Sequence, residues 1–431
     1  MIDNIFLQLN KFVPEKWRWI LEHEGFKKYF KNTGWMFFAQ GFSAISLFVN
    51  IWVARYLGPN DFGRLSYALA FAGMFGFIAN LGVSGILIRE LVKHPEKRDK
   101  LLGTSFILVL IGGIISFLII SILAFLFVDE FVVRSLIMIF ALGSIFNSFS
   151  VIYGYFQASV QAKKNSQAQI LNIVLSSFLK IVLILSGKGI IWLMLVYAAE
   201  FFFNSVFFIF CYLRSGLKIS SWKFDYQLAK SILSVSWLLM LSSGAAMLYM
   251  KIDQVMVGHY LDSTAVGLYA ASVRLVEIWY FIPAIICGSL FPAIVNAKSL
   301  SQNAYYKRLK ALYFLLAGVG FLIAIPSVIL APWFINLFYG SAYFGSVEIL
   351  RIYIWSGVGL FLTWGINNYY LSENKLYSLF LLSFFSLIIN VILNLIFIPQ
   401  LGVNGAAWAT LVSYSVGPIV IYLFNFFKRY V

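Results

Sequence analysis

The sequence predicts an all-α polytopic membrane protein with about 12 transmembrane helices in two six-helix lobes around a central cavity. First, hydrophobic residues make up 61% of the 431 residues and charged residues only 11%, whereas a soluble domain is typically about 45–50% apolar and about 25% charged. Second, twelve apolar stretches are long enough to cross a hydrocarbon layer of about 30 Å. Third, the two halves of the chain share short repeated segments. Together these features exclude a disordered chain, a disulfide scaffold and an ordinary soluble enzyme.

The predicted spans divide evenly between the two halves of the chain. Their approximate bounds are 33–56, 66–88, 104–128, 132–158, 168–186, 190–213, 232–259, 265–292, 311–330, 348–371, 376–398 and 405–427. We therefore expect an N-lobe at 33–215 and a C-lobe at 216–431. The preceding residues, 1–32, mix aromatic and basic side chains and lack a continuous apolar run. That pattern is typical of an amphipathic helix lying in the cytoplasmic membrane interface.

The charge distribution predicts how the chain is oriented. The chain carries 32 Lys and Arg against 17 Asp and Glu, a formal net charge of +15. Most of the basic residues lie in the N-terminal segment and in alternate loops, and such loops face the cytoplasm. We therefore expect a multi-pass protein of the cytoplasmic membrane with both termini inside. The basic loops would contact anionic membrane lipids, so the excess charge does not indicate a nucleic-acid partner.

An internal repeat relates the two halves. VARYLGPNDFG at 53–63 matches VGHYLDSTAVG at 257–267, and WLMLV at 192–196 matches WATLV at 408–412. The first pair lies at the predicted outer turn between the first two helices of each half. Because each half has an even number of helices, the halves share one orientation and are related by an axis along the membrane normal. Such lobes usually enclose a cavity that opens to either side in turn, which favours a transporter.

Two opposite charges lie inside predicted spans of the N-lobe. Lys180 and Glu200 are on consecutive antiparallel helices joined by a Gly-Lys-Gly turn at 187–189. They lie roughly 12 and 18 Å along their helices from Lys188, a difference that a long lysine side chain can cover. Two interpretations are open: the two side chains form an internal ion pair with a structural role, or they act in a solvated cavity.

Four charges lie in the first two spans of the C-lobe. Arg274 and Glu277 are three residues apart and share a helix face, while Lys251 and Asp253 point in different directions. Either a Lys251–Glu277 or an Asp253–Arg274 pair could form, and a purely structural network is one interpretation. The other is a basic anion site beside an acid that takes a proton or Na⁺. Arginine suits phosphate because its planar fork donates two hydrogen bonds.

The sequence contains no recognisable catalytic constellation. It has no nucleotide-binding P-loop, no paired-carboxylate loop and only three histidines. Cys211 and Cys287 lie far apart in apolar stretches, so no disulfide framework is expected. We therefore predict a protein that is not an enzyme and needs no metal or other cofactor.

The segment Val53–Gly63 resembles the signature of O-antigen-type polysaccharide flippases, which belong to the multidrug/oligosaccharidyl-lipid/polysaccharide exporter superfamily. Three further segments carry the resemblance: Asn80-Leu81-Gly82, Ile88-Arg89-Glu90 and Gly103-Thr104. The resemblance extends along the whole chain, and twelve spans rather than fourteen disfavour the lipid II flippase branch.

The resemblance implies alternating-access transport of oligosaccharides linked to a polyprenyl pyrophosphate, from the cytoplasmic to the outer leaflet. An ion gradient would drive it, and glycan polymerases or glycosyltransferases would be partners. We expect Arg274 and Lys251, with Arg55 near the outer mouth, to bind the pyrophosphate. Asp253 or Glu277 would couple the movement of H⁺ or Na⁺.

Two other functions are open on the sequence. A drug or metabolite antiporter of the same superfamily would accept small organic cations and would favour acidic cavity walls. An integral-membrane glycan polymerase or ligase would be expected to carry a sizeable external loop. The longest predicted outer connection, about 331–347, has no basic residue, which disfavours the second function.

Overall fold

The computed structural model describes residues 24–373 and 375–430, and these residues form helices and short connections without a β-strand. Of the predicted amphipathic segment, 1–23 lies outside the described residues. The remaining part, 24–32, begins the first long helix instead of forming a separate element. The all-α prediction is therefore confirmed for the described part of the chain.

The described residues form fifteen α-helices. In chain order they are α1 (Glu24–Gly73), α2 (Gly76–Asn80), α3 (Val83–Lys93), α4 (Arg98–Phe127), α5 (Phe131–Ser144), α6 (Val151–Ala158), α7 (Ala162–Leu185), α8 (Ile190–Leu213), α9 (Tyr226–Tyr260), α10 (Ser263–Glu277), α11 (Phe281–Leu300), α12 (Gln302–Phe338), α13 (Ser346–Ser372), α14 (Leu376–Leu401) and α15 (Val403–Tyr430). Ten helical stretches within the described residues are long and apolar enough to cross a membrane.

All twelve predicted spans fall on helices, but the second differs from its prediction. A continuous helix over 66–88 was expected from hydropathy. The structure turns the chain before this span, at Gly58, where φ is +71°, and starts the next helical segment at Pro59. Proline favours the first position of a helix because its missing N–H is not needed there. The predicted span itself is interrupted between Gly73 and Gly76 and again at Leu81 and Gly82, both with positive φ.

The chain divides into two compact units. Unit 1 consists of the described residues up to Asn50, together with Phe77–Asp129 and Met138–Met240; unit 2 consists of Ile51–Gly76, Glu130–Ile137 and the described residues from Leu241 onwards. The lobe boundaries expected from the repeat stay a prediction.

Two motif glycines allow close backbone contacts inside unit 1. A Cβ atom at Gly82 would lie 2.5 Å from the carbonyl oxygen of Ser236, and one at Gly103 would lie 2.6 Å from the amide nitrogen of Lys223. Neither position has room for a side chain unless its neighbours move. These glycines therefore join the segment 223–240 to the first half of the chain.

Candidate functional site

The two copies of the repeat pack against each other within unit 2; we call 53–63 and 257–267 the paired hairpins. A Cβ atom at Gly63 would lie 1.6 Å from the carbonyl oxygen of Ser263, and one at Gly267 would lie 1.9 Å from that of Pro59. Gly63 and Gly267 occupy equivalent positions in the two repeats, and so do Pro59 and Ser263, so the two contacts are equivalent. The contact is reciprocal, and it requires the absence of a side chain at both glycines.

Polar contacts hold the paired hairpins in place. The Asn60 side-chain amide lies 3.4 Å from the hydroxyl of Thr264, its repeat partner 204 positions further on. The hydroxyl of Tyr343, which is fully buried, donates a hydrogen bond of 2.6 Å to the carbonyl of Ala54. The first hairpin is therefore held by contacts at two positions, Ala54 and Asn60.

Arg55, predicted to bind substrate, is an exposed residue of this region. It lies beside Gly340, whose φ is +87° and whose Cβ atom would be 3.7 Å from the Arg55 side-chain nitrogen Nε. The structure therefore puts Arg55 at the same end of unit 2 as the paired hairpins.

Arg274 contacts the ring of Phe62, which belongs to the first hairpin. The guanidinium carbon lies 4.9 Å from the centre of the ring, and Phe62 is completely buried. Within the described residues, no carboxylate comes within salt-bridge distance of Arg274. The Asp253–Arg274 pair that the sequence left open is not formed.

The alternative pair is formed instead. Lys251 Nζ lies 3.3 Å from Glu277 Oε1, and both side chains are about one-third exposed. The charges of Lys251 and Glu277 therefore balance each other in this conformation, which leaves Arg274 as the cation of this group without an acidic partner among the described residues.

Asp253 lies in a buried polar group that we call the Asp253 cluster (Asp253, Tyr269, Asn390, Asn394 and Thr410). Asp253 is only 3% exposed. Its carboxylate accepts hydrogen bonds from the Asn394 amide at 2.7 Å and from the Tyr269 hydroxyl at 3.1 Å, and the Thr410 hydroxyl lies 2.5 Å away. Asn394 also donates to Asn390 at 3.0 Å.

The Asp253 cluster is rich in oxygen and lacks a fixed cation. The amide oxygen of Asn394 is buried and has no hydrogen-bond partner among the described residues. No basic side chain in the described part of the chain forms a salt bridge with Asp253. A buried, acceptor-rich group of this kind can take up a proton or a small hard cation, which prefers oxygen ligands.

Lys180 lies in a second buried group, which we call the Lys180 cluster (Asn50, Lys180, Tyr197 and Glu200). Lys180 is 1% exposed, and its Nζ atom lies 2.7 Å from Glu200 and 3.1 Å from the amide oxygen of Asn50. The same ammonium lies 3.6 Å from the centre of the Tyr197 ring. The structure thus brings together the two N-lobe charges that the sequence singled out.

The two clusters occupy corresponding helices in the two halves of the chain. The Lys180 cluster lies on α1, α7 and α8, which are the first, fifth and sixth predicted spans of the first half. In the second half, α9, α14 and α15 are the first, fifth and sixth spans, and each contributes to the Asp253 cluster. A lysine ammonium is present in the first cluster, whereas the second has none.

Sequence reasoning missed several members of these groups. Asn390 and Asn394 are four residues apart within an apolar span, so they share one helix face, and that spacing was a readable signal. No comparable signal marks Phe62, because one phenylalanine among 44 is not distinctive. Its contact with Arg274 depends on the tertiary packing of the paired hairpins.

The fold is similar to that of solved membrane proteins. Over 90% of this chain and 94% of the other, the structure superposes with a TM-score of 0.72 on an inward-facing multidrug resistance transporter of the MATE family in the MOP superfamily, at 18% identity. The predicted fold class, with its two-lobe twelve-helix architecture, is therefore confirmed.

The family follows from the sequence. The chain belongs to the polysaccharide biosynthesis protein family, which matches residues 29–298. It is 24% identical to the probable flippase AglR of Haloferax volcanii over 390 residues, covering 87% of this chain and 79% of the relative. It is also 23% identical to a putative O-antigen transporter of Shigella flexneri over 347 residues, covering 75% and 79%. The predicted family is confirmed.

Proposed function

We propose that this protein is a flippase that moves oligosaccharides linked to polyprenyl pyrophosphate across the cytoplasmic membrane by alternating access. Its family membership and its two flippase or O-antigen relatives support this function and argue against an enzyme. The transported glycan would serve cell-surface polysaccharide or glycan synthesis, and glycan polymerases or glycosyltransferases would act before or after it.

Arg274 is the observation that carries the proposed substrate class. A cation inside a predicted span is costly unless it has a partner or a function. The partner that Arg274 has among the described residues is the neutral ring of Phe62, so its positive charge and its N–H donors are available to an anionic ligand. A pyrophosphate offers pairs of oxygens that match the arginine fork. Lys251 and Arg55 would add positive charge at other stages of transport.

The Asp253 cluster is the proposed site of ion coupling. The corresponding cluster of the first half holds a cation permanently, since the Lys180 ammonium is part of the chain. The Asp253 cluster has a carboxylate and an unpartnered amide oxygen in place of that amine, which favours a mobile cation, either H⁺ or Na⁺. Glu277, the other candidate, contacts Lys251 and is therefore less suited to this role.

The charge pattern supports the proposed location and orientation. Positive residues of membrane proteins concentrate on the cytoplasmic side, so both termini would be cytoplasmic and the paired hairpins would lie at the outer end. Basic cytoplasmic loops would contact anionic lipids.

A small-cation antiporter is the second candidate, because the structural relative of the MATE family is a multidrug transporter. Such a protein would favour an unpaired acid facing its ligand. Asp253 is buried and hydrogen-bonded within its own cluster, whereas Arg274 is a partly exposed cation without an acidic partner among the described residues. The ion pair between Lys251 and Glu277 also argues against an antiporter, because it leaves Glu277 without a free charge for a cationic ligand.

The substrate class can be tested by binding. The probe is a short-chain polyprenyl diphosphate, titrated into the purified full-length protein. We expect Arg274→Ala to weaken binding roughly 10- to 100-fold, the cost of losing charge-assisted hydrogen bonds, whereas a small organic cation would bind neither protein.

Arg351→Ala is the matched control. Arg351 is an exposed arginine whose side chain contacts the carbonyl of Val328 near a helix end, so its removal should leave diphosphate affinity unchanged. Equal affinities for wild-type protein and Arg274→Ala would contradict the assignment of the site. Preferential binding of the organic cation by the wild-type protein would favour the antiporter.

A further inference from the structure

Phe62 links the paired hairpins to the proposed anion site. It follows Asn60 and precedes Gly63, two residues that contact the second hairpin directly. Its ring is fully buried and lies edge-on to the ring of Tyr343, with centres 6.1 Å apart. Phe62 can therefore occupy this position only while the first hairpin is seated against the start of α10.

The contact between Phe62 and Arg274 engages the guanidinium through the ring. The ring face of phenylalanine carries negative potential, so a guanidinium carbon 4.9 Å from its centre is attracted electrostatically. Such a contact consumes none of the five N–H donors of arginine. No described residue accepts a hydrogen bond from those donors, which leaves them available to a ligand.

Tyr339 belongs to the same aromatic group. Its ring centre lies 5.2 Å from that of Tyr343, which contacts Phe62. Burial raises the pKa of Tyr339 to about 12, and the positive charge of Arg274 acts in the opposite direction. Arg274 is therefore close enough to this aromatic group to act on it electrostatically.

We propose that Phe62 is a positioning residue for substrate recognition: its ring orients the Arg274 guanidinium toward the diphosphate while the paired hairpins are seated, and releases it when they separate. This inference rests on the proposed function of Arg274. It makes the affinity for the diphosphate depend on conformation. Affinity is high while the outer end is closed, when the lipid-linked substrate is loaded from the cytoplasmic side, and falls as the outer end opens.

Fluorination of the ring tests this inference. Phenylalanine at position 62 is replaced by its mono-, di- and trifluorinated analogues through nonsense suppression, which weakens the negative potential of the ring face with little change in shape. We expect affinity for the short-chain polyprenyl diphosphate to fall stepwise, by about 3- to 10-fold in total. Phe62→Leu, which removes the ring, should lose about as much affinity as the trifluorinated variant.

Two controls separate this inference from the proposed function. Phe71, a buried ring further along α1 that stacks on Tyr67, is fluorinated in the same way and should leave affinity unchanged. In an Arg274→Ala background, fluorination at position 62 should also have no effect. If Arg274→Ala lowers affinity but the Phe62 series is flat, Phe62 has only a packing role and the inference is wrong. If Arg274→Ala does not change the affinity for the diphosphate, the proposed role of Arg274 in binding is wrong, and this inference is wrong with it.

Discussion

Lys180 is a buried lysine whose charge is balanced by three different groups: a carboxylate, an amide oxygen and an aromatic ring. Removing one member of such a pair leaves the other charge poorly compensated. Glu200 keeps 30% of its side chain exposed, and water would therefore offset part of the loss.

The first prediction concerns this pair. We expect Lys180→Met to lower the free energy of unfolding by about 1–3 kcal/mol, measured by thermal or denaturant unfolding of the purified protein. The double variant Lys180→Met, Glu200→Gln should recover most of that loss because it leaves no unpaired charge. Equal stabilities of the single and double variants would mean that the ion pair does not stabilise the fold.

The second prediction concerns Asp253. Asp253→Asn keeps the size of the side chain but removes the negative charge that a coupling ion would neutralise. In proteoliposomes, we expect the variant to equilibrate the substrate between leaflets but to lose stimulation by a proton or sodium gradient. Asp99→Asn, a partly exposed acid paired with Arg98, is the control and should keep full stimulation. Gradient-stimulated transport by Asp253→Asn would exclude this carboxylate as the coupling group.

At the residue scale, the sequence identified the charges and the ion pairs they could form, but not which of the two C-lobe pairs is present or what surrounds Asp253. Lys180, Glu200, Lys251 and Glu277 are recognisable because charges are rare in apolar spans. The partners of Asp253 were not predicted, since serine, threonine and asparagine occur in many membrane helices for packing reasons. Which of two alternative ion pairs forms depends on the rotation of α9 and α10 about their axes, and hydropathy does not fix that rotation.

The paired hairpins are the element whose contacts are most constrained. The carbonyl oxygens facing Gly63 and Gly267 leave no space for a methyl group, and both oxygens belong to backbone that is itself part of the contact. A side chain at either position would force the two hairpins apart.

The third prediction tests that contact. In a protein carrying Asn60→Cys and Thr264→Cys, a short thiol-reactive cross-linker should join the two hairpins efficiently, since the native side chains lie 3.4 Å apart. Adding Gly63→Ala or Gly267→Ala should strongly reduce cross-linking. Adding Gly41→Ala, at a position with no atom near the new methyl group, should not. Unchanged cross-linking in Gly63→Ala would contradict the close packing of the repeats.

At the element scale, all twelve helical spans could be predicted, because length and hydropathy determine them. The break in the second span could not. It lies where Leu81 and Gly82 adopt a positive φ, and side-chain hydropathy does not report backbone dihedral angles. The repeat itself was readable, but its reciprocal packing follows only from the tertiary structure.

For the whole molecule, the composition predicted a membrane protein and the repeat predicted two related halves, and the fold agrees with both. The formal charge of +15 reports the proposed orientation and says little about the substrate. Substrate chemistry depends instead on a few charges inside the membrane. Among the four charges of the first two C-lobe spans, Arg274 is the cation that lacks an acidic partner in the described part of the chain.

The central claim is that this chain moves a lipid-linked oligosaccharide between leaflets, and transport in proteoliposomes tests it most directly. A fluorescent oligosaccharide on polyprenyl pyrophosphate is incorporated into both leaflets, and a membrane-impermeant quencher reports how fast the inner pool becomes accessible. We predict rapid quenching of both pools with wild-type protein, and slowing by about tenfold or more in the Arg274→Ala, Lys251→Ala double variant. Quenching no faster than in protein-free liposomes, with gradient-driven uptake of a small organic cation by the same preparation, would contradict the account.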